Sequence, residues 1–242
     1  MAKRPVFISK QSESNFVMEK DIVFEWYPGF AVTQKQKSID SFHDNVKKYD
    51  ETLNILEVSS KSKDELGVAL SAFNLIITAK NGKKFSVETA FQASKVFQNG
   101  GPYLDLYDKT SKEAKKDPRI KNSGDLLYFQ FFSRKWELEP KTLFYDWLYI
   151  NALALNKDLA DKVIGYNAFT DIEFNPQKSI NCQAKAVALY VSLSKANLLD
   201  YALDSVEKYK KIIMGTNNVE FGERKDIVSE KTEQLSIFDE IE

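Results

Sequence analysis

In the stretch FSVETAFQASKVF (residues 85–97), a carboxylate, an amide and an amine recur at helical intervals. Glu88, Gln92 and Lys95 stand at i, i+4 and i+7, which stacks their polar heads on one side of an α-helix. A carboxylate so placed can move a proton or stabilise a developing cation. An amine can pair with a phosphate or, once neutral, attack a carbonyl carbon. The same stripe on a solvated helix would make only a weak surface ion pair, so the pattern by itself leaves both roles open. Upstream, SSKSK gathers Ser59, Ser60, Lys61, Ser62 and Lys63 in one turn. Hydroxyls and ammonium groups both donate to phosphate oxygens, although a solvated basic turn has the same composition.

The menu of chemistry is short. His43 is the sole histidine and Cys182 the sole cysteine, which removes a Cys/His zinc site and disfavours a Ser-His-Asp triad. His43, with no triad or metal partner near it in sequence, is expected on the surface. Neither common phosphate-loop motif is present. Catalysis must therefore draw on carboxylates, lysines, hydroxyls and backbone amides, and no cofactor is expected. One cysteine suits a reducing cytoplasm. No apolar run approaches the ~20 residues that span a bilayer, and MAKRPVF lacks a signal-peptide core. The net charge is −1, which argues against coating nucleic acid through its phosphates. Residues 223–242 hold seven acids and three bases, a net −4, so residues 1–222 carry +3. That mildly basic body can meet one local stretch of DNA or a phosphate-bearing ligand.

Positioning these side chains needs a core, and 242 residues with 43% hydrophobic and 13% aromatic content can build one. RPVFI (4–8) and KDIVFEWY (20–27) predict strands, the second closed by Pro28-Gly29. A helix capped by Ser38 or Asp40 follows, turning Ile39, Phe42 and Val46 inward. LNILEV (53–58) predicts a buried strand, and Asn81-Gly82 a hairpin. Ser86 caps the 87–97 helix, and Gly100-Gly101-Pro102 break it. Ser111 caps a short helix, and LLYFQFFSRKW (126–136) is core-like. Pro140 opens a helix with Leu143, Phe144, Trp147, Ile150 and Leu155 inward. A helix over 158–166 leads into a polar segment, Ser179 caps the last large helix, and an amphipathic helix covers about 198–214. The expected fold is α+β, predominantly α-helical, with a small β portion near the N-terminus. Its division is an N-terminal β/α extension (1–50), a catalytic domain (51–214) and a flexible acidic tail (215–242).

With the segments in this order, GVALSAFN, SVETAFQASK, EAKK and RKW resemble the successive motifs of the NADAR domain family over about residues 55–200. RPVFI, FEWYPGF…TQKQKSI, GGPYLDLY, FYDWLY, FTDIEFNP and SINCQA are similar to one branch, the antitoxins encoded beside DarT DNA ADP-ribosyltransferase toxins. There are two departures. Ala72 stands where the family usually has Asn, and a late W-G-D-type segment is absent, leaving Asp171 and Glu173 as the nearest acids.

The resemblance implies an ADP-ribosyl hydrolase that frees modified guanine in DNA, with ADP-ribosylated DNA and a DarT-type toxin as partners. Elsewhere in the family, similar domains cleave an N-glycosidic bond of a riboflavin-pathway intermediate. A third possibility is an antitoxin that neutralises its toxin by binding alone. For the hydrolase, the resemblance implies Glu88 as the central carboxylate. Lys61 or Lys95 would be a phosphate partner or a Schiff-base amine. Ser60, Ser62, Lys63, Ser71, Phe73, Asn74, Gln92, Asp171 and Asn181 would bind substrate, and Trp136 would stack on a base. In the tail, QLSIF is similar to the peptide by which bacterial proteins dock on the replicative sliding clamp. Gln234 would be its hydrogen-bonding residue and Leu235, Ile237 and Phe238 its apolar part.

Overall fold

The computed structural model describes residues 1–10 and 15–215. Its strands are β1 (Ala2–Ser9), β2 (Val17–Phe24), β3 (Ile55–Glu57), β4 (Ile76–Thr78), β5 (Lys84–Ser86), β6 (Lys95–Phe97), β7 (Leu126–Phe131), β8 (Arg134–Trp136) and β9 (Ala168–Thr170). Its helices are α1 (Val32–Tyr49), α2 (Glu65–Ala69), α3 (Val87–Ala93), α4 (Ser111–Lys116), α5 (Arg119–Asn122), α6 (Leu143–Leu155), α7 (Lys157–Val163), α8 (Gln183–Lys195), α9 (Leu199–Asp204) and α10 (Val206–Ile213). The architecture is α+β.

Val6, Phe7 and Ile8 are all buried, so β1 is covered on both faces. It lies inside a sheet of order β2-β1-β9-β3, antiparallel to β2 and β9, while β9 runs parallel to β3. The N-terminal residues thus share a sheet with two segments far from them in sequence, β3 and β9. On one side of it, α1 contributes Ile39, Phe42 and Val46 to a core with Val6, Ile8, Phe24 and Ala168. On the other, α8 packs against β1 and against α6. From Leu143 to Leu153 every residue of α6 is buried, as a helix surrounded by protein requires.

Several boundaries fall elsewhere than the sequence suggests. Helix α1 begins at Val32, because Ser38 is no cap. Its hydroxyl donates to the Gln34 carbonyl at 3.1 Å and accepts from the Tyr27 amide at 2.9 Å, pinning the preceding loop to the helix. Helix α4 is capped by Thr110 in a box with Glu113, which frees Ser111 to donate to the Phe73 carbonyl at 2.8 Å. Helix α8 starts after Cys182, and Ser205 divides the last amphipathic segment into α9 and α10. The strands are not confined to the N-terminus. The polar segment FTDIEFNP supplies β9, an interior strand, and the aromatic run supplies β7 and β8.

Candidate active site

The hairpin β4–β5 runs straight into α3, and Ser86 caps the helix by accepting from the Thr89 amide at 3.0 Å. Two backbone bonds, Val87 N–H to Leu75 (3.0 Å) and Glu88 N–H to Ala72 (2.9 Å), clamp the LSAFN segment and the leucine after it to its first turn. All seven residues of α3 are buried, Glu88 and Gln92 included. The polar stripe is therefore not a solvated surface, and a buried charge must be paired or used. Gln92 Nε2 donates to Glu88 Oε1 at 2.9 Å, and Lys95 Nζ donates to Gln92 Oε1 at 2.8 Å. Lys115 Nζ on α4 approaches the same Glu88 oxygen at 3.5 Å.

Lys95 reaches this relay from β6, not from the helix. Helix α3 ends at Ala93, and residues 95–97 pair with β7, setting Lys95 opposite Phe129. Its ammonium lies 4.8 Å from the centre of the Phe91 ring. Burial lowers its pKa to about 8, while Glu88 pulls the other way.

Opposite α3, two carboxyl groups sit inside the protein. Glu57 Oε2 accepts from the Thr170 hydroxyl at 2.6 Å and Oε1 from the Ile172 amide at 2.8 Å. His43 Nε2, partly buried on α1, is hydrogen-bonded to the same hydroxyl at 2.8 Å. The imidazole belongs to this internal network and not to the surface, and burial lowers its pKa to about 4. Asp171 follows directly, accepting from the amides of Glu173 (3.0 Å) and Phe174 (3.2 Å). Burial, then the neighbouring Glu57, drives its pKa well above the carboxylate range, and burial raises that of Glu57 too. Gln183 ties this acid side to the LSAFN segment, donating to the Val58 carbonyl at 2.7 Å and accepting from the Ala72 amide at 2.7 Å.

Between the two sides lies a cleft of about 720 Å³, within the range of small-molecule sites. Glu88, Gln92, Lys95, Lys61, Ser60, Ser71, Phe73, Asp171 and Asn181 all line it. Four lysines, Lys61, Lys95, Lys112 and Lys115, give it a cationic rim, and Tyr145 and Phe91 supply apolar wall. Burial, then the Glu88 charge, raises the Tyr145 phenol well above its usual pKa. Lys35, on α1, holds Glu173 at the margin at 3.0 Å.

Four expected site residues point elsewhere. Trp136 is 1% exposed and packs on Trp147 (4.6 Å between centroids) and Phe144 (5.4 Å), so it is core and cannot stack on a ligand. Asn74 is exposed, and its amide donates to the Val68 carbonyl at 2.8 Å, closing a turn. Ser62 is buried against Gly67 and accepts from the Asp64 amide at 3.2 Å. Lys63 pairs with Asp40 at 2.6 Å. Conversely, Tyr145, Phe129, Lys112, Lys115, Gln183 and the buried Glu57 carry the site without having been singled out. Lys115 and Gln183 do stand inside the strings EAKK and SINCQA, so the motifs held a signal that spacing did not. The QLSIF residues Gln234, Leu235, Ile237 and Phe238 lie outside the described residues. Among the described residues no trio of His, Cys, Asp or Glu gathers to hold a metal ion, and no helix is long and apolar enough to cross a membrane.

An α+β domain whose buried acid faces a lysine-rimmed cleft agrees with what a scan of protein families returns, a NADAR family matched over residues 2–221. The chain belongs to that family, the DarT1-associated NADAR antitoxins. Its role is that of an antitoxin, with a DarT-type toxin as its functional counterpart. A search of curated proteins finds no match.

Proposed function

We propose that the chain is a hydrolase that removes ADP-ribose from modified guanine in DNA by breaking the ribosyl C1–N bond. One observation carries the reading. Glu88 is a buried carboxylate held in a fixed orientation by Gln92 and Lys115 at the floor of a cleft rimmed by four lysines. The lysines match a diphosphate, and the carboxylate matches positive charge growing at C1 as the bond to the base weakens. A proton must reach the departing base nitrogen. Asp171, its pKa raised by burial and then by Glu57, is the donor on the opposite wall.

Two routes share this geometry. In one, Glu88 activates a water that adds at C1. In the other, the Lys95 amine adds to C1 of the opened sugar, the base departs with the proton it receives, and water hydrolyses the resulting imine to return the lysine. With a pKa of about 8, Lys95 is neutral in roughly a tenth of molecules at pH 7, and this favours it over the half-buried Lys61. Because the reacting carbon must enter the cleft, a modified nucleotide within a duplex has to be displaced from the stack.

The test is to incubate the protein, without toxin, with an oligonucleotide carrying ADP-ribosyl-guanine and to separate the products by chromatography. Free ADP-ribose and unmodified DNA are expected. Glu88→Gln should lower the rate by about 10²–10⁴-fold while still binding ADP-ribose. Unaltered turnover by that variant would remove Glu88 from the mechanism. Toxin neutralisation with no ADP-ribose released would mark an antitoxin that works by binding alone.

A further inference from the structure

The cleft does not end at its lysines. Leu126, Phe129, Tyr145 and Asn181 also form one wall of a second cavity of about 250 Å³. Its character is different. Leu138, Leu143 and Ile180 make its surface mainly apolar, and Glu137, Glu139 and Lys141 stand at its edge, Glu137 paired with Lys135 at 3.0 Å. The apolar walls reject a phosphate and a ribose alike, and the carboxylates at the edge accept from an amine. A flat, uncharged ring with amine donors suits both features. Phe129, partly buried with Phe144 behind it at 4.9 Å, offers a fixed aromatic surface for stacking.

Asn181 stands where the two cavities meet, and among the described residues its side-chain amide has no hydrogen-bond partner, although its carbonyl accepts from Ser179 at 3.1 Å. A carboxamide presents one acceptor and one donor side by side. This matches the N6 amine and N7 of adenine, whereas guanine shows two acceptors at the same edge. The wall is also held rigidly. Thr142 adopts φ +68°, a conformation uncommon for a β-branched residue, and its hydroxyl is tied to Asp146 at 2.7 Å.

We propose that this annex is an adenine subsite, with Asn181 reading the base edge while the diphosphate lies among the lysines of the main cleft. The proposal rests on the ADP-ribose reading of that cleft and extends it to what distinguishes this nucleotide from other ribosyl phosphates.

Calorimetric titration of the full chain with ADP-ribose, ADP, GDP and ribose 5-phosphate tests it, alongside Asn181→Ala and Ile180→Glu. Both positions are solvent-accessible, and circular dichroism confirms that each variant keeps the fold. The wild type should bind ADP about tenfold more tightly than GDP. Both variants should lose about tenfold in affinity for ADP-ribose, with ribose 5-phosphate unaffected and Asn181→Ala no longer separating ADP from GDP. Equal binding of ADP and GDP by the wild type, or variants that bind ADP-ribose normally, would overturn the subsite. If the variants bind ADP-ribose normally but raise KM for the modified oligonucleotide, the annex holds the DNA base and the adenine assignment fails. If the wild type binds neither ADP-ribose nor ADP, the failure lies in the reading of the main cleft itself.

Discussion

Lys95 is the side chain whose environment asks most of its chemistry. It is buried against Phe91, its hydrogen bond goes to a neutral amide, and the nearest carboxylate lies one residue further along the relay. Burial therefore wins over attraction, and the pKa falls to about 8. An amine that must be neutral to attack gains about tenfold in its active form for each pH unit below that value and saturates above it. The rate should rise roughly tenfold from pH 6 to 7 and level off beyond pH 8, measured as initial release of ADP-ribose. Lys95→Arg keeps the charge and removes the nucleophile. It should bind ADP-ribose within a few-fold of wild type yet turn over at least about 10³-fold more slowly, and borohydride should trap an adduct only with the wild type. An arginine variant at near wild-type rate with a flat pH profile would leave Lys95 as a phosphate partner only.

Among the elements, α2 matters for where it presses. Gly67 is buried against β3 and the serine–lysine loop, and a Cβ at this position would collide with the Glu57 carbonyl oxygen and the Ser62 hydroxyl. The carbonyl is backbone, and the Ser62 Cβ behind the hydroxyl is itself within 2.9 Å, so β3 or the loop must shift. Gly67→Ala should cost about 1–3 kcal/mol of stability in chemical denaturation. It should also weaken ADP-ribose binding, because Ser60 and Lys61 follow the strand. Unchanged stability would mean that the loop yields freely. The packing of α2 was not legible in the sequence, but other parts of the fold were. The Ser86 cap, the hairpin and the inward residues of α1 and α6 follow from local rules, and the structure has them except Leu155. That residue lies exposed at the end of α6, beyond the buried run that closes at Leu153. The path of residues 168–170 did not follow, because a three-residue strand between polar flanks acquires its identity only from β1 and β3 on either side. The same limit governs the site. Glu88 and Gln92 were visible as an i, i+4 pair, but the placing of Lys115, Gln183 and Tyr145 against them is tertiary. Trp136 misled for the opposite reason, since an indole beside two bases reads alike whether it stacks on a ligand or on Trp147.

At the scale of the whole molecule, the two buried acids make stability depend on pH above the unfolded carboxylate range. Glu57 and Asp171 have folded pKa values raised above their unfolded ones, so between those values the folded state holds the extra proton. Their contribution is fully present below the unfolded carboxylate range and is lost as pH rises through the folded values. Other shifted groups act in the same range, so the share of the pair is isolated by comparing proteins. His43, lowered to about 4, makes stability rise with pH until its unfolded value of 6.5 has been passed. Asp146, raised to about 6 by burial, loses its last protons above that pH and makes stability fall. Lys95, lowered to about 8, begins to release its proton near pH 7 and makes stability rise. The fall contributed by one buried acid is up to about 1.4 kcal/mol per pH unit, and urea titrations of wild type and Asp171→Asn side by side read it. The variant should gain stability relative to wild type as pH rises from about 6.5 to 8, whatever its absolute stability. Parallel slopes for the two proteins would show that Asp171 is already ionised in the folded protein. In that case Asp171 could not be the acid that protonates the leaving base.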